Sequence, residues 1–228
     1  MNPHPELLKV YKEKFYNKIQ EQLPTLATFE EKFKETELYQ DVAENDFCIN
    51  REKYYLHEAR DKHVSSCIGS TIGYNRVNGL KLFDAGCGPG DYGVLFKHLG
   101  YDFTGFLGGK YFYEDFEYIH KLLDLNVVYG DLKEKLPFKD KQFDIVFSCI
   151  TLSVKGLIKH YGEILQEFRR ICKRNGKIII VTHQNREKER FLIDNKKNGI
   201  KDDRLMIKAW GEVKWRHEPT LGEINDRS

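Results

Sequence analysis

The sequence predicts a doubly wound α/β domain with a mainly parallel sheet, preceded by a helical N-terminal segment. Three observations predict it. A short apolar strand at 80–85 runs into a loop with glycine at every second position, Gly86, Gly88 and Gly90, and then into the helical run Val94-Leu95-Phe96-Lys97-His98-Leu99. From residue 80 onward, short apolar strands alternate with helical stretches, the pattern of a parallel sheet with helices on both faces. Residues 177–182 are an apolar, β-branched run suited to a central strand buried on both sides.

The elements follow in order. Leu7, Leu8, Tyr11, Phe15, Ile19 and Leu23 recur at three- and four-residue steps and make one amphipathic helical face. Pro24 interrupts it, and Phe29, Phe33 and Leu38 mark a second helix. Residues 51–67 read as a further helix leading to the core, and 69–79 as turn-rich. The first strand is expected at 80–85, the second at 102–106, an aromatic-rich helix at 112–123 and the third strand at 126–129. The fourth strand, 143–149, is announced by the polar run Lys139-Asp140-Lys141-Gln142. A helix at 160–172 ends near the Asn175-Gly176 turn, which leads into the fifth strand at 177–182. A charged helix covers 186–195, and 204–210 with 212–217 are expected to pair as a closing hairpin. The chain divides into an N-terminal helical lid, 1–75, and a core domain, 76–228.

Composition narrows the function classes. The 37 Lys and Arg against 35 Asp and Glu leave a formal net charge of +2 across 228 residues, which is not the basic stripe of a dedicated nucleic-acid binder. No apolar run approaches the length of a membrane span, and the N-terminus lacks the apolar core of a signal peptide. A cytoplasmic protein with no membrane partner is the expectation. The five cysteines form no C-x-x-C pair and read as free thiols in a reducing compartment. The scattered histidines give no metal-binding spacing, so no metal is expected.

The glycine loop carries the chemistry. Three positions without side chains let backbone turn tightly and a ligand come close. The spacing Asp84-x-Gly86-x-Gly88-x-Gly90 is neither the G-x-G-x-x-G of dinucleotide folds nor the lysine-ended phosphate loop. It resembles motif I of the class I S-adenosylmethionine-dependent methyltransferases. Residues 80–182 follow that family segment by segment: Gly130-Asp131-Leu132 matches its G-D-A/L position, Leu136-Pro137-Phe138 with Phe143-Asp144-Ile145-Val146 its "LPF…FD-V" run, and Lys173-Arg174-Asn175-Gly176-Lys177 its turn before the fifth strand, without the usual proline. The resemblance implies a Rossmann-like, seven-stranded sheet and S-adenosyl-L-methionine as cofactor.

It also implies a set of site residues. Asp84, Gly86, Cys87, Gly88 and Gly90 would form the loop under the methionine part, with Asp84 orienting the amino group. Asp131 would accept from the adenine amino group, a role suited to an acceptor-only carboxylate, with Leu132 contributing its backbone N–H. Ser148 and Cys149, at the end of the fourth strand, would flank the methionine moiety, since ligands of open α/β sheets sit outside the carboxyl ends of the strands. Asp144 reads as structural. Upstream, Tyr55 and Arg60 either cover the cofactor and hold its carboxylate or lie on an ordinary solvated helix.

One departure is serious. The family places an acid at the tip of the second strand to bridge both ribose hydroxyls, and this chain has Leu107 there. Three accounts stay open: backbone at Gly108 and Gly109 approaches the ribose, an acid such as Glu114 or Asp115 reaches it, or cofactor binding is weak or lost.

For the acceptor, neither an Asn/Asp-Pro-Pro-aromatic run nor a Pro-Cys nucleophile follows Phe147, and 150–156 lacks clustered acids. No DNA partner is expected, and a small-molecule acceptor in a monomer or homodimer leads. No general base is evident at Leu152-Ser153-Val154-Lys155, so catalysis would come mainly from aligning the reactants for in-line displacement. Two alternatives remain: a protein- or RNA-directed methyltransferase docking through Lys208, Trp210, Lys214 and Trp215, and a catalytically silent binding scaffold, for which Leu107 is the motive.

Overall fold

A computed structural model describes residues 2–34, 60–108, 114–153, 156–197 and 201–213. In chain order the elements are α1 (Pro5–Tyr11), a π-helical turn (Lys12–Tyr16), α2 (Asn17–Glu21), α3 (Leu23–Lys34), α4 (Arg60–Thr71), β1 (Lys81–Ala85), α5 (Asp91–His98), β2 (Asp102–Leu107), α6 (Glu114–Leu122), β3 (Val127–Tyr129), β4 (Phe143–Cys149), α7 (Tyr161–Ile171), β5 (Cys172–Thr182), α8 (Asn185–Lys197), β6 (Leu205–Ala209) and α9 (Trp210–Val213). The strands form one sheet in the order β3-β2-β1-β4-β5-β6, and every pairing is parallel. This is the doubly wound, Rossmann-like arrangement, with six strands among the described residues rather than seven.

Strand alternation decides the two faces. Leu82, Phe103, Leu107, Ile145, Phe147, Ile179 and Val181 point to one side, where α4, α5, α6 and the N-terminal helices cover them. Phe83, Phe106, Val146, Ile178 and Ile180 point to the other, under α7 and α8. The apolar face of α7 recurs at Tyr161, Ile164, Leu165, Phe168 and Ile171, all buried. Truncating Phe168, fully buried here, is worth about 3–5 kcal/mol of stability.

The N-terminal helices share that first core rather than building their own. Leu7, Val10, Tyr11, Phe15, Ile19 and Leu26 belong to the cluster that includes Phe96, Phe147 and Ile179. Pro24, expected to interrupt the helical run, sits in the first turn of α3, where its missing N–H costs nothing. Residues 2–34 pack beside α5 and α6: Glu6 meets Arg76 and His98, and the Tyr118 hydroxyl donates to Gln22 on the far side. The stretch 35–59, which includes Tyr39, Tyr54 and Tyr55, lies outside the described residues.

Two expectations are corrected. The turn expected at 173–177 is part of β5, which starts at Cys172 and absorbs a register irregularity opposite Phe143–Ile145. Gly176 permits this, because a Cβ there would press on the Asp144 carbonyl. The closing hairpin is also absent among the described residues. β6 runs parallel to β5, and Trp210–Val213 turns into a short helix whose Glu212 caps the Ala209 N–H at 2.9 Å. Asp144 is structural, as expected. Its carboxylate accepts from the Lys81 N–H at 2.9 Å and from Lys173 Nζ at 2.8 and 2.9 Å, tying three strand starts together.

Candidate active site

The carboxyl ends of the strands form a rim built of short loops. At its centre Gly86, Gly88 and Gly90 all adopt positive φ, 81°, 52° and 92°, a conformation only glycine takes without strain. The Gly86 and Cys87 N–H groups both donate to the Phe106 carbonyl, at 2.8 and 3.1 Å, so the loop is pinned across the end of β2. Gly90 caps α5 in the left-handed conformation. A side chain on Gly86 would collide with Thr151, and one on Gly90 with Leu125. The glycines are therefore required by packing as well as by the turn.

Asp84, one residue before the end of β1, is the anomaly of the rim. It is buried and its Oδ2 has no hydrogen-bond partner. Burial, with the nearby charge of Asp91, pushes its pKa well above the ordinary carboxylate value. A buried acceptor oxygen without a donor is an unusual feature of a folded core.

The remaining predicted residues of the strand ends lie at the carboxyl ends of β2, β3 and β4. Cys87 is buried, and burial raises its thiol well above the ordinary value. Ser148 is buried at the end of β4 and donates to the Ala85 carbonyl at 3.2 Å. Cys149 follows it, half-buried, with its Sγ 3.4 Å from the Tyr92 hydroxyl. Burial and the neighbouring Cys67 keep this thiol protonated. Asp131 follows β3 and is clamped by Lys133, which gives its backbone N–H at 2.9 Å and its ammonium at 3.0 Å. Partial burial pushes the Asp131 carboxyl upward, but those contacts outweigh it and hold the group below its usual value. Leu132 is buried beneath, against the Phe83 and Phe106 cluster. Leu107 is buried at the end of β2 among side chains of α5 and α6. Tyr55 lies outside the described residues.

Arg60 opens α4, and its Nε donates to Asp91 Oδ2 at 2.6 Å. Asp91 is the first residue of α5, directly after Gly90, and is 1% exposed. The arginine thus reaches the glycine loop from a segment far away in sequence, rather than lying on a solvated helix.

Two contributors, Thr151 and His120, were not foreseen, nor was the backbone conformation of Ile150. Thr151 fills the space left by Gly86 and donates to its carbonyl at 3.3 Å. Ile150, between it and Cys149, has φ of 65°, a strained conformation for a β-branched residue. His120 of α6 is buried, with Nε2 2.7 Å from the Gly88 carbonyl and Nδ1 2.8 Å from the Tyr129 hydroxyl. The positive-φ isoleucine has no sequence signal. His120 and Tyr129 could have been found only by pairing residues nine apart across a helix-to-strand turn.

The glycine loop lies at the carboxyl ends of the parallel strands, where open α/β sheets bind their ligands. Residues 83–180 match the family model of a methyltransferase domain. No curated protein matches the chain. Among solved structures, it resembles a Pyrococcus horikoshii protein at 24% identity, covering 72% of this chain and 71% of that one with a TM-score of 0.46. It also resembles a SAM-dependent methyltransferase from Archaeoglobus fulgidus at 25% identity, covering 61% of this chain and 56% of that one with a TM-score of 0.42. A TehB-like SAM-dependent methyltransferase from Corynebacterium glutamicum is 18% identical, over 62% of this chain and 70% of that one, with a TM-score of 0.43. The strand–glycine loop–helix unit lies inside those matched residues, so this part of the chain carries the features of a methyltransferase domain.

Proposed function

We propose that this protein transfers a methyl group from S-adenosylmethionine to a small-molecule acceptor, with catalysis resting mainly on alignment. The observation that carries the cofactor's placement is Asp84 Oδ2, a buried carboxylate oxygen without a donor beside a loop of three positive-φ glycines. An ammonium group supplies the donor that this oxygen lacks, and the bare loop lets the rest of an amino-acid moiety lie against backbone. The cofactor's methionine end fits both features.

On this reading Asp84 holds the amino group, and Arg60, standing beside Asp91 at the start of α5, takes the carboxylate. The loop residues Gly86, Cys87, Gly88 and Gly90 line the methionine chain. Asp131 and the Leu132 N–H serve the adenine, and Ser148 and Cys149 flank the end that carries the methyl group. When bound, the cofactor supplies an electrophilic methyl on a sulfonium leaving group. The chain's own part is to hold the acceptor in line with it and to keep water out. Neither Cys149 nor Cys87 is prepared as a nucleophile, since burial keeps both thiols protonated.

The small-molecule acceptor is supported by the near-balanced charge, 37 basic against 35 acidic residues, which offers little attraction to a phosphate backbone. The fourth strand also ends in Ser148-Cys149-Ile150-Thr151 instead of the proline-aromatic run of base-amino enzymes. Among the described residues no helix is long and apolar enough to cross a membrane. The test is incubation with methyl-labelled cofactor and cell extract, followed by separation of small molecules from protein and RNA. Label in the small-molecule fraction is expected. Label confined to macromolecules would overturn the acceptor class.

A further inference from the structure

Resting on the S-adenosylmethionine reading, we propose that Tyr11 of the first helix donates its hydroxyl proton to the carboxylate of the cofactor's amino-acid end. It would thereby complete a site whose other half is Asp84.

Helix packing brings Tyr11 to the glycine loop. α1 packs against both α4 and α5, and the π-helical turn that follows it packs against α5 as well. α1 runs antiparallel to α5. Glu6, in its first turn, meets His98 at the end of α5 across 2.8 Å. Tyr11, its last residue, therefore comes to the start of α5, near Asp91 and the Arg60 that pairs with it. The charge of Asp91 acts on both Tyr11 and Asp84, so the phenol and the end of β1 share one neighbour. The helix departs from the regular α pattern immediately after Tyr11, at Lys12–Tyr16, and such π turns recur at functional sites.

Two buried polar atoms of this cluster lack a hydrogen-bond partner, and their needs are opposite. Asp84 Oδ2, as a carboxylate oxygen, needs a donor, and the Tyr11 hydroxyl needs an acceptor. Tyr11 is 3% exposed and Asp84 2%. Burial, followed by the charge of Asp91, raises the Tyr11 phenol well above its ordinary value, so it keeps the proton it could donate. Arg60 is a donor only and cannot receive that proton. Asp91 already accepts twice, from Arg60 Nε at 2.6 Å and from the Tyr92 N–H at 3.0 Å.

A buried hydroxyl without an acceptor is costly, and a ligand that supplies the acceptor removes the cost. The head of an α-amino acid carries both missing partners on one carbon: an ammonium group for Asp84 and a carboxylate for Tyr11. A simple cation would satisfy only Asp84, and a simple anion only the phenol. The N-terminal helices are then a wall of the cofactor site as well as a cover for the core.

The test is calorimetric binding of S-adenosylhomocysteine, and of its decarboxylated analogue, to the wild-type chain and to Tyr11→Phe. The substitution keeps the ring and removes only the oxygen. The expected result is a loss of about tenfold or more for S-adenosylhomocysteine, the scale of one hydrogen bond to a charged group, and no change for the analogue. Asp84→Asn should instead weaken both ligands, since both keep the ammonium group. Unchanged affinity of Tyr11→Phe for S-adenosylhomocysteine, or equal weakening of both ligands, would overturn the proposal. Absence of binding by the wild-type chain would refute the cofactor reading, and the proposal with it. If Tyr11→Phe does not fold, an NMR spectrum of the wild-type chain with Cζ-labelled tyrosine serves instead. One buried tyrosine resonance should move with S-adenosylhomocysteine and stay in place with the analogue, and no such difference counts against the proposal.

Discussion

The two ends of the sheet use the same residue types in opposite ways. At the amino ends of the strands, several carboxylates are held by cations. Asp144 receives Lys81 and Lys173, and Asp202 receives Arg204 and Arg169, with Arg204 reaching Oδ2 at 2.7 Å and Arg169 at 2.8 Å. Glu167 is held by Arg170 in the same way. Hydrogen bonds from Arg204 bring Asp202 down to about 2. At the carboxyl ends, Asp84 is buried with one oxygen unpartnered and its pKa raised, while Ile150 takes a strained φ of 65°. One end is arranged for stability. The other carries uncompensated groups of the kind a ligand completes, and such features cluster at functional sites.

Four measurements would break or sharpen this contrast, in falling order of effect. Gly86→Val at the carboxyl rim forces a side chain into Thr151 at a positive φ, and binding of S-adenosylhomocysteine should weaken by about a hundredfold or more in calorimetry. Loss of less than tenfold would show that the loop is not the cradle.

Asp84→Asn separates the ends further. It should weaken that ligand by roughly 10- to 100-fold while raising the stability of the ligand-free protein by about 1–3 kcal/mol at neutral pH. The sign follows from the raised pKa. The folded protein holds the Asp84 proton more tightly than the unfolded chain, so this group's contribution falls as pH rises above the ordinary value of 3.8. Ligand affinity of the wild-type chain should run the other way and improve with rising pH as the carboxyl ionises. In Asp84→Asn that slope should disappear, and a lower melting temperature for the variant would contradict the account.

Asp202→Asn, at the amino rim, should cost about 2 kcal/mol in urea unfolding and leave ligand affinity unchanged. Here the pKa is depressed, so the stabilisation is present above 3.8 and is lost as pH falls toward about 2. The Asn variant should therefore show a smaller acid-induced loss. The smallest effect is expected for Lys133→Ala, whose partner Asp131 is on the carboxyl rim but partly solvated. Its stability should change by less than about 0.5 kcal/mol in the same assay.

How much was legible depended on the range of the interaction. The glycine loop was readable because a tight turn through positive φ imposes its glycine spacing on adjacent residues. The fifth-strand run 178–181 was readable for a similarly local reason, since a strand segment buried on both faces must be apolar. The hairpin expected beyond residue 204 failed because alternating residues are equally suited to a parallel partner, and the pairing with β5 is a contact of distant segments. Arg60 is 31 residues from Asp91, and His120 is 32 from Gly88. No local pattern marks such pairs.

The leucine at position 107 shows the division most clearly. The sequence by itself determined the fold class, the glycine loop and the absence of an acid at the second strand's tip, because these follow from local backbone demands and from side-chain identity. Only the tertiary structure decided what surrounds that tip. It buried Leu107, set Tyr129 beside it and aimed His120 at both the phenol and Gly88. Strand register and helix packing make those neighbours, and both are set by the burial of the whole core rather than by any one segment.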